Sequence, residues 1–287
     1  MQISNEDYQQ FKPLLFSIGY RMLGSIVEAE DIVQETFLKA YQIDDQHIDN
    51  KKAYLCKIMT NRCLDVLKSS RYRREQYVGP WNPEPLLLGS SPDIDPSEVV
   101  LQKEGLSIAY LRMMEHLTPD ERAVLLLREV FDFSYLEISN IVEKKEENSR
   151  KIFSRAKQKI SIIEDESLHY ERNKSITDRF IQAFQMQNMD ALLELLSEKV
   201  TLYSDGGGKV KAAIRPINSR SNVLAFLYGI SKKVPVDFYF KVKNVNGQPG
   251  IVIYMNGNIQ SIISFYISHD TIHEIYITMN PDKLPTQ

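Results

Sequence analysis

The 287-residue chain holds two cysteines and a single tryptophan, and these scarcities close off several classes of protein. Cys56 and Cys63 lie seven positions apart on what reads as one helix. At about 1.5 Å of rise per residue they stand too far apart for a disulfide. Without a histidine cluster nearby they make a poor zinc site and read as small core residues. No apolar run approaches the roughly 18 residues that a membrane helix needs, so no membrane partner is expected. The N-terminus lacks the basic-then-apolar layout of a signal peptide, and a cytoplasmic location is expected. A P-loop is missing too, although Asp205-Gly206-Gly207-Gly208-Lys209 suggests one. That motif needs a glycine five residues before its second glycine, and Ser or Thr after the lysine. Tyr203 and Val210 stand there instead. His269 and His273 have the spacing of a helical zinc pair but straddle a turn into a strand, which separates them by over about 10 Å. No cofactor and no metal are expected.

The composition is that of a globular protein, 43% hydrophobic and 25% charged, long enough for two or three domains. The net charge of −3 hides a segregation. Residues 61–75 carry five basic against two acidic side chains, and residues 144–160 carry seven against two. Residues 76–143 carry four basic against twelve acidic. Either basic block alone reads equally well as a solvated helix face; the two together point to nucleic-acid contact at two places.

From Tyr8 to about Arg74 the apolar residues repeat at three and four positions, as in Leu14, Leu15, Ile18 and Met22, which predicts helices. In the run 51–74 the polar face gathers Lys57, Asn61, Arg62, Asp65, Lys68, Arg71, Arg73 and Arg74. The stretch 77–98 then holds five prolines and two glycines, reads as an interdomain linker, and frames Trp81 between Pro80 and Pro83. A large aromatic there is expected to pack on something. Helices resume near Val99. Thr118 with Glu121 and Ser134 with Glu137 form capping boxes, Pro119 sits at a first helical position, and a basic helix runs to about Ile160. Two short helices joined by Glu143-Lys144-Lys145 make a helix-turn-helix layout, without the common glycine in its turn. Past a polar joint, Ser175 and Asp178 open an amphipathic helix. Alternating strands follow, with Asn246-Gly247 and Asn256-Gly257 as hairpin turns, and predict a curled antiparallel sheet in a separate α+β domain.

The helix around Glu30, Asp31, Gln34, Glu35 and Lys39 is by itself a solvated face. Its phrase from Ala29 to Ala40, however, resembles the polymerase-docking helix of region 2 in the extracytoplasmic-function sigma factors of bacterial RNA polymerase. Residues 57–74 resemble the adjoining segment that melts and reads the −10 element, and residues 117–160 resemble region 4, which reads the −35 element. Trp81-Asn82-Pro83-Glu84-Pro85, Asp205-Gly206-Gly207-Gly208-Lys209 and Asn280-Pro281-Asp282-Lys283-Leu284 resemble three signatures of a subgroup with a SnoaL-like domain fused behind region 4. Asn82 departs from that pattern, where Leu is more usual.

The resemblance implies a multidomain chain. Region 2 would occupy 1–75, a Pro-rich linker 76–98, and region 4 residues 99–162, both regions being all-α. An α+β SnoaL-like (nuclear transport factor two-like) cone would occupy 173–287. It implies core RNA polymerase and promoter DNA as partners, with no catalysis by the chain itself. Core binding is expected at Glu30, Asp31, Gln34, Glu35 and Lys39. DNA contact is expected at Asn61, Arg62, Asp65, Lys68, Arg71, Arg73 and Arg74, with the polar loop 42–50 placed where the family captures a flipped base. In the second basic helix Asn148, Arg150, Lys151 and Ser154 would face base edges, and Arg155, Lys157 and Lys159 would bind phosphates. Glu146 and Glu147 suit a helix N-terminus but would repel phosphate, unless one accepts from a cytosine amino group. The glycine run reads as a surface loop or, given the subgroup, as a docking loop with Asp205 and Lys209 as its charged contacts. The rival class is an enzyme, because such cones elsewhere host cyclases and isomerases, with Asp205, Asp237 and His273 as loose candidates. An unidentified small ligand in the C-terminal domain is a third, compatible reading.

Overall fold

A computed structural model describes residues 3–42, 50–75, 77–89, 106–160, 169–232 and 238–285, and only the backbone of 70–75. The flipped-base loop at 43–49, the side chains of Arg71, Arg73 and Arg74, the later linker and Asp237 therefore lie outside the described residues. The chain divides into two compact units, one of residues 1–75, 93–104 and 111–162, the other of 76–92, 105–110 and 163–287.

The first unit is helical. It contains α1 (Asn5–Leu23), α2 (Ile26–Gln42), α3 (Lys51–Glu75), the later part of α4 (Ile108–Met114), α5 (Pro119–Glu129), α6 (Tyr135–Ile141) and α7 (Glu146–Ile160). Ser4 and Asp7 cap α1 reciprocally, and Gly24, left-handed at φ 68°, ends it. The expected inward residues are buried, among them Leu15, Ile18, Met22, Ile32, Val33, Phe37, Leu55 and Met59. Cys56 and Cys63 belong to this core, and burial pushes the Cys56 thiol up to about 12 and Cys63 upward as well. Both stay protonated packing groups.

Thr118 and Ser134 cap α5 and α6 through boxes with Glu121 and Glu137. Glu121 also takes the Lys159 ammonium at 2.7 Å, which ties the start of α5 to the end of α7. In the turn between α6 and α7, Glu143 holds the left-handed backbone (φ 54°) that glycine more often supplies. Its carboxylate meets Lys57 of α3 at 3.1 Å. The buried Arg122 guanidinium donates to the Met22 carbonyl, and Lys52 sits 5.0 Å from the Phe133 ring centre. These contacts join α1–α3 and α5–α7 into one body.

The second unit is α+β. Its helices are α8 (Tyr170–Gln185), α9 (Met189–Leu195) and α10 (Arg220–Ser231). Its strands are β1 (Leu87–Leu88), β2 (Leu196–Asp205), β3 (Ile217–Asn218), β4 (Phe238–Val245), β5 (Gln248–Met255), β6 (Asn258–Ser268) and β7 (Thr271–Thr278). They form one sheet in the order β1-β4-β5-β6-β7-β2-β3. Asn246-Gly247 and Asn256-Gly257 all have positive φ, between 52° and 81°, as type I′ hairpin turns require. One core unites the helices with the sheet: Ile176, Phe180, Leu227, Val200, Phe265 and Ile275 are all buried in it.

Two expectations need correction. The sheet is mixed, because β2 pairs parallel to β7 and only the other pairings are antiparallel. The first helix opens at Tyr170, not Ser175; Asp178 is instead an i+4 partner of Lys174 at 2.8 Å. The linker itself takes part in the sheet. Leu87 and Leu88 pair with Val245 and Asn244, an edge position that its prolines permit.

Candidate functional site

Three surfaces gather the singled-out residues. On α2, Glu30, Asp31, Gln34, Glu35 and Lys39 are all exposed, while Ile32, Val33, Thr36 and Phe37 between them are buried. This follows from the 3.6-residue period of an amphipathic helix. Exposed Leu38 lies on the same face and was missed by a reading that looked for charge. On α3, Asp65 and Lys68 are exposed, and Asn61 and Arg62 half-buried. The structure links the two helices, since Arg62 Nε donates to Glu35 at 2.9 Å and holds a second bond to the same oxygen. That carboxylate raises the guanidinium's affinity for its proton. A residue expected to dock polymerase thus orients one expected to meet DNA.

On α7, Asn148, Arg150, Lys151, Ser154, Arg155 and Lys157 are exposed, and Ser149, Ile152 and Ala156 are buried. Glu146 and Glu147 bind the basic residues one turn on, Arg150 and Lys151, each at 2.6 Å. Lys157 reaches Glu129 of α5 at 2.8 Å. Sequence reading missed Tyr135, the first residue of α6. Its ring lies 4.3 Å from the Arg150 guanidinium and 5.3 Å from that of Arg128, with Phe153 edge-on at 5.9 Å. Arg150 is therefore held between an aromatic face and a carboxylate.

The third surface lies in the second unit, where the three rare motifs meet. Asp205, fully buried at the end of β2, accepts on one oxygen from Tyr77 Oη (2.6 Å) and the Gly207 N–H (3.1 Å). Its other oxygen accepts from the Asn82 N–H and Lys283 Nζ, each at 2.8 Å. Lys283 also donates to the Asn82 carbonyl at 2.6 Å and sits 4.0 Å from the Trp81 ring centre. Asn280 donates to Tyr77 Oη at 2.9 Å and caps the turn at Pro281. Burial, then the adjoining Asp205 carboxylate, pushes the Tyr77 phenol far up, so it remains a donor. Asn82 is fully buried and donates its side chain to the Ile277 carbonyl at 3.3 Å. Pro83 and Pro85 are buried, Trp81 and Glu84 half-buried, and Leu284 packs beside Leu87 and Val245.

The glycine run makes this seat. Gly207 and Gly208 have φ of 58° and 73°. A Cβ on Gly207 would strike the Asn280 amide, and one on Gly208 would come within 3.2 Å of Val78. Of the two expected charged contacts, Asp205 is the buried centre, whereas Lys209 makes an exposed ion pair with Asp282 at 2.6 Å. Lys283, Tyr77 and the Asn82 backbone were not recognised as ligands of Asp205 from sequence. Of the rival enzymatic candidates, Asp205 has its acceptor positions filled by four donors, His273 lies 5.8 Å from Tyr266, ring to ring, and Asp237 lies outside the described residues. His269 and Asp270 form a left-handed turn, so His269 and His273 do not share a helical face.

Residues 7–74 match sigma-70 region 2, and residues 107–160 match sigma-70 region 4. The ECF RNA polymerase sigma factor SigW of Bacillus subtilis is 31% identical over 140 residues, covering 46% of this chain and 73% of SigW. This chain belongs to the ECF RNA polymerase sigma factors. SigJ, an ECF sigma factor of Mycobacterium tuberculosis, is 28% identical over 239 residues, or 81% of this chain and 74% of SigJ. The SigJ crystal structure has the same fold, with a TM-score of 0.79 over 98% of both chains at 24% identity. As a sigma factor the protein binds core RNA polymerase and promoter DNA, and the polymerase performs the chemistry. Its two helical regions are followed by an α+β domain with a seven-stranded mixed sheet. No described helix is long and apolar enough to cross a membrane.

Proposed function

We propose that the C-terminal domain of this sigma factor sets its transcriptional activity through the linker. The observation that carries this reading is the Asp205 carboxylate, which accepts hydrogen bonds from linker residues Tyr77 and Asn82 while paired with Lys283. A proline-rich linker is stiff, so a fixed anchor constrains the ends that lead to region 2 (1–75) and region 4 (99–162). The domain from about residue 173 onward would act as the anchor, in the cytoplasm, where RNA polymerase works. Run-off transcription with core polymerase tests it. Asp205→Asn, which keeps the shape but removes the charge, is expected to change output from the native promoter; identical output would reject the anchor role.

The roles of the remaining residues are part of the same reading. Glu30, Asp31, Gln34, Glu35 and Lys39 dock polymerase. Asn61, Arg62, Asp65, Lys68, Arg71, Arg73 and Arg74 serve the −10 element, while Asn148, Arg150, Lys151, Ser154, Arg155 and Lys157 serve the −35 element. Asp31→Lys is expected to lower affinity for core polymerase alone. Glu35→Lys is expected to lower it and also weaken −10 engagement, because it releases Arg62. Binding titrations with core and with fork-junction DNA separate the two, and equal DNA binding by both variants would uncouple Glu35 from Arg62.

Arg150→Ala is expected to cost about 1–3 kcal/mol of preference for the matched −35 sequence, whereas Lys157→Ala weakens matched and mismatched DNA alike. Tyr135→Ala removes a stacking partner worth about 0.5–1 kcal/mol and is expected to erode the same preference partly. Competition binding between −35 variants reads both. A loss in Tyr135→Ala that is uniform across sequences would make that ring structural only.

A further inference from the structure

The C-terminal domain encloses a cavity of about 320 Å³, roughly the liquid volume of ten waters. It lies between α8, α10 and the sheet, away from the Asp205 carboxylate, which does not line it. Eleven of its fourteen lining residues are Phe, Leu or Ile, and the others are Gln185, Gln187 and Ser231. No ionisable side chain lines it among the described residues. The apolar residues Phe180, Leu227, Ile251 and Ile277 form its buried part, whereas Gln185, Gln187 and Ile230 are exposed and mark its mouth. The volume falls at the lower end of small-molecule sites.

The lining selects the occupant. A charged molecule would lose its hydration inside and find no counter-charge among the described lining residues, which costs several kcal/mol. A carbohydrate or nucleotide would leave many hydroxyls without partners. An uncharged, mainly hydrocarbon molecule with one or two polar atoms at one end loses little, because the two amides and the Ser231 hydroxyl stand near the opening. Rings suit the four phenylalanines, Phe180, Phe184, Phe238 and Phe240.

One residue joins this cavity to the linker. Ile277 turns its side chain to the cavity, and its carbonyl accepts from the buried Asn82 side chain of the linker. Along the same strand end, the Met279 and Asn280 N–H groups bond to the Asp205 carbonyl at 2.8 and 3.0 Å. A shift of β7 that accommodates an occupant therefore reaches the linker seat through the bond on Ile277 itself and through those two and three residues on.

We propose that this cavity binds a small, uncharged, apolar molecule, and that its occupancy biases the seating of the linker. The second clause rests on the anchor role argued above. N-phenylnaphthylamine, an uncharged aromatic probe that brightens in apolar surroundings, tests the site in the full-length protein. Anilinonaphthalene sulfonate, the same skeleton with a sulfonate, tests the chemical class.

The uncharged probe is expected to bind saturably with one site per chain, and the sulfonate at least about tenfold more weakly. Ile253→Phe, which fills the cavity with apolar volume, is expected to remove binding while circular dichroism and Trp81 emission stay unchanged. Ile253→Val, which leaves the space open, is expected to retain it. By reciprocity of coupled equilibria, Asp205→Asn is expected to change the probe's Kd by about fivefold or more. Unsaturable binding, or saturable binding that survives Ile253→Phe, overturns the site. Equal affinity for both probes overturns the chemical class. A Kd unchanged by Asp205→Asn overturns the link to the linker alone. The anchor role is judged separately, by run-off transcription of that variant without probe.

Discussion

Asp205→Ala is expected to destabilise the C-terminal unit by about 3–5 kcal/mol, the usual cost of stripping one partner from a buried ion pair. The carboxylate is fully buried and Lys283 nearly so, and the variant removes the counter-charge of a Lys283 ammonium that also meets the Asn82 carbonyl and the aromatic faces of Trp81 and Tyr77. It also takes the Asp205 acceptor from the Tyr77 O–H donor and from two backbone N–H groups. Urea denaturation followed by Trp81 emission measures this directly, because the chain has one tryptophan. The double variant Asp205→Leu with Lys283→Met, which removes both charges together, is expected to cost well below the sum of the single variants. Additive losses would show that the two charges do not depend on each other, and a loss under about 1 kcal/mol in Asp205→Ala would mean that the site relaxes into water.

Gly207→Ala is the second large effect. The backbone there is left-handed, which costs a residue with a Cβ about 1–2 kcal/mol. The new methyl would also overlap the Asn280 amide, which is fixed between Tyr77 and the Asp282 N–H, and such overpacking typically adds about 1–3 kcal/mol. A total near 2–5 kcal/mol is expected, with Trp81 emission shifted to longer wavelength as the seat opens. Gly247→Ala, left-handed as well but with open space around its Cβ position, should show only the backbone part. If the two variants lose equal stability, the clash with Asn280 is not felt.

The parts of this protein that were legible in its sequence are those whose signals are local. Thr118 with Glu121 and Ser134 with Glu137 announce helix starts within four residues, and both boxes are formed. The Asn-Gly pairs announce their turns in the same way. The helix opening at Tyr170 gave no such signal, because His169 caps without a side-chain bond, while Ser175 and Asp178 imitate a cap inside the helix. The parallel pairing of β2 with β7 was not legible either, since alternation records which face is buried and not which strand lies alongside. Trp81 could be assigned a packing partner from its apolar area alone. That Lys283 is the partner, and that Asp205 is its counter-charge, depends on residues 78 to 202 positions apart, for which a chain has no local notation. Tyr135 was passed over for a similar reason: an aromatic at a helix start carries no mark of the arginines that later lie against it.

The same long separations have a consequence in time. Asn82 and Lys283, which share a hydrogen bond, are 201 residues apart in the chain. At a synthesis rate of about 5–20 residues per second, Asn82 is made about 10–40 s before Lys283, and the end of region 4 about 6–25 s before it. The helices that read promoter DNA can fold during that interval, since their contacts are with one another. The anchor cannot, because its last ligand does not yet exist. Each molecule therefore passes through a short youth in which Tyr77 and Asn82 lack the buried Asp205–Lys283 pair, until the C-terminal strands have closed around Asp205.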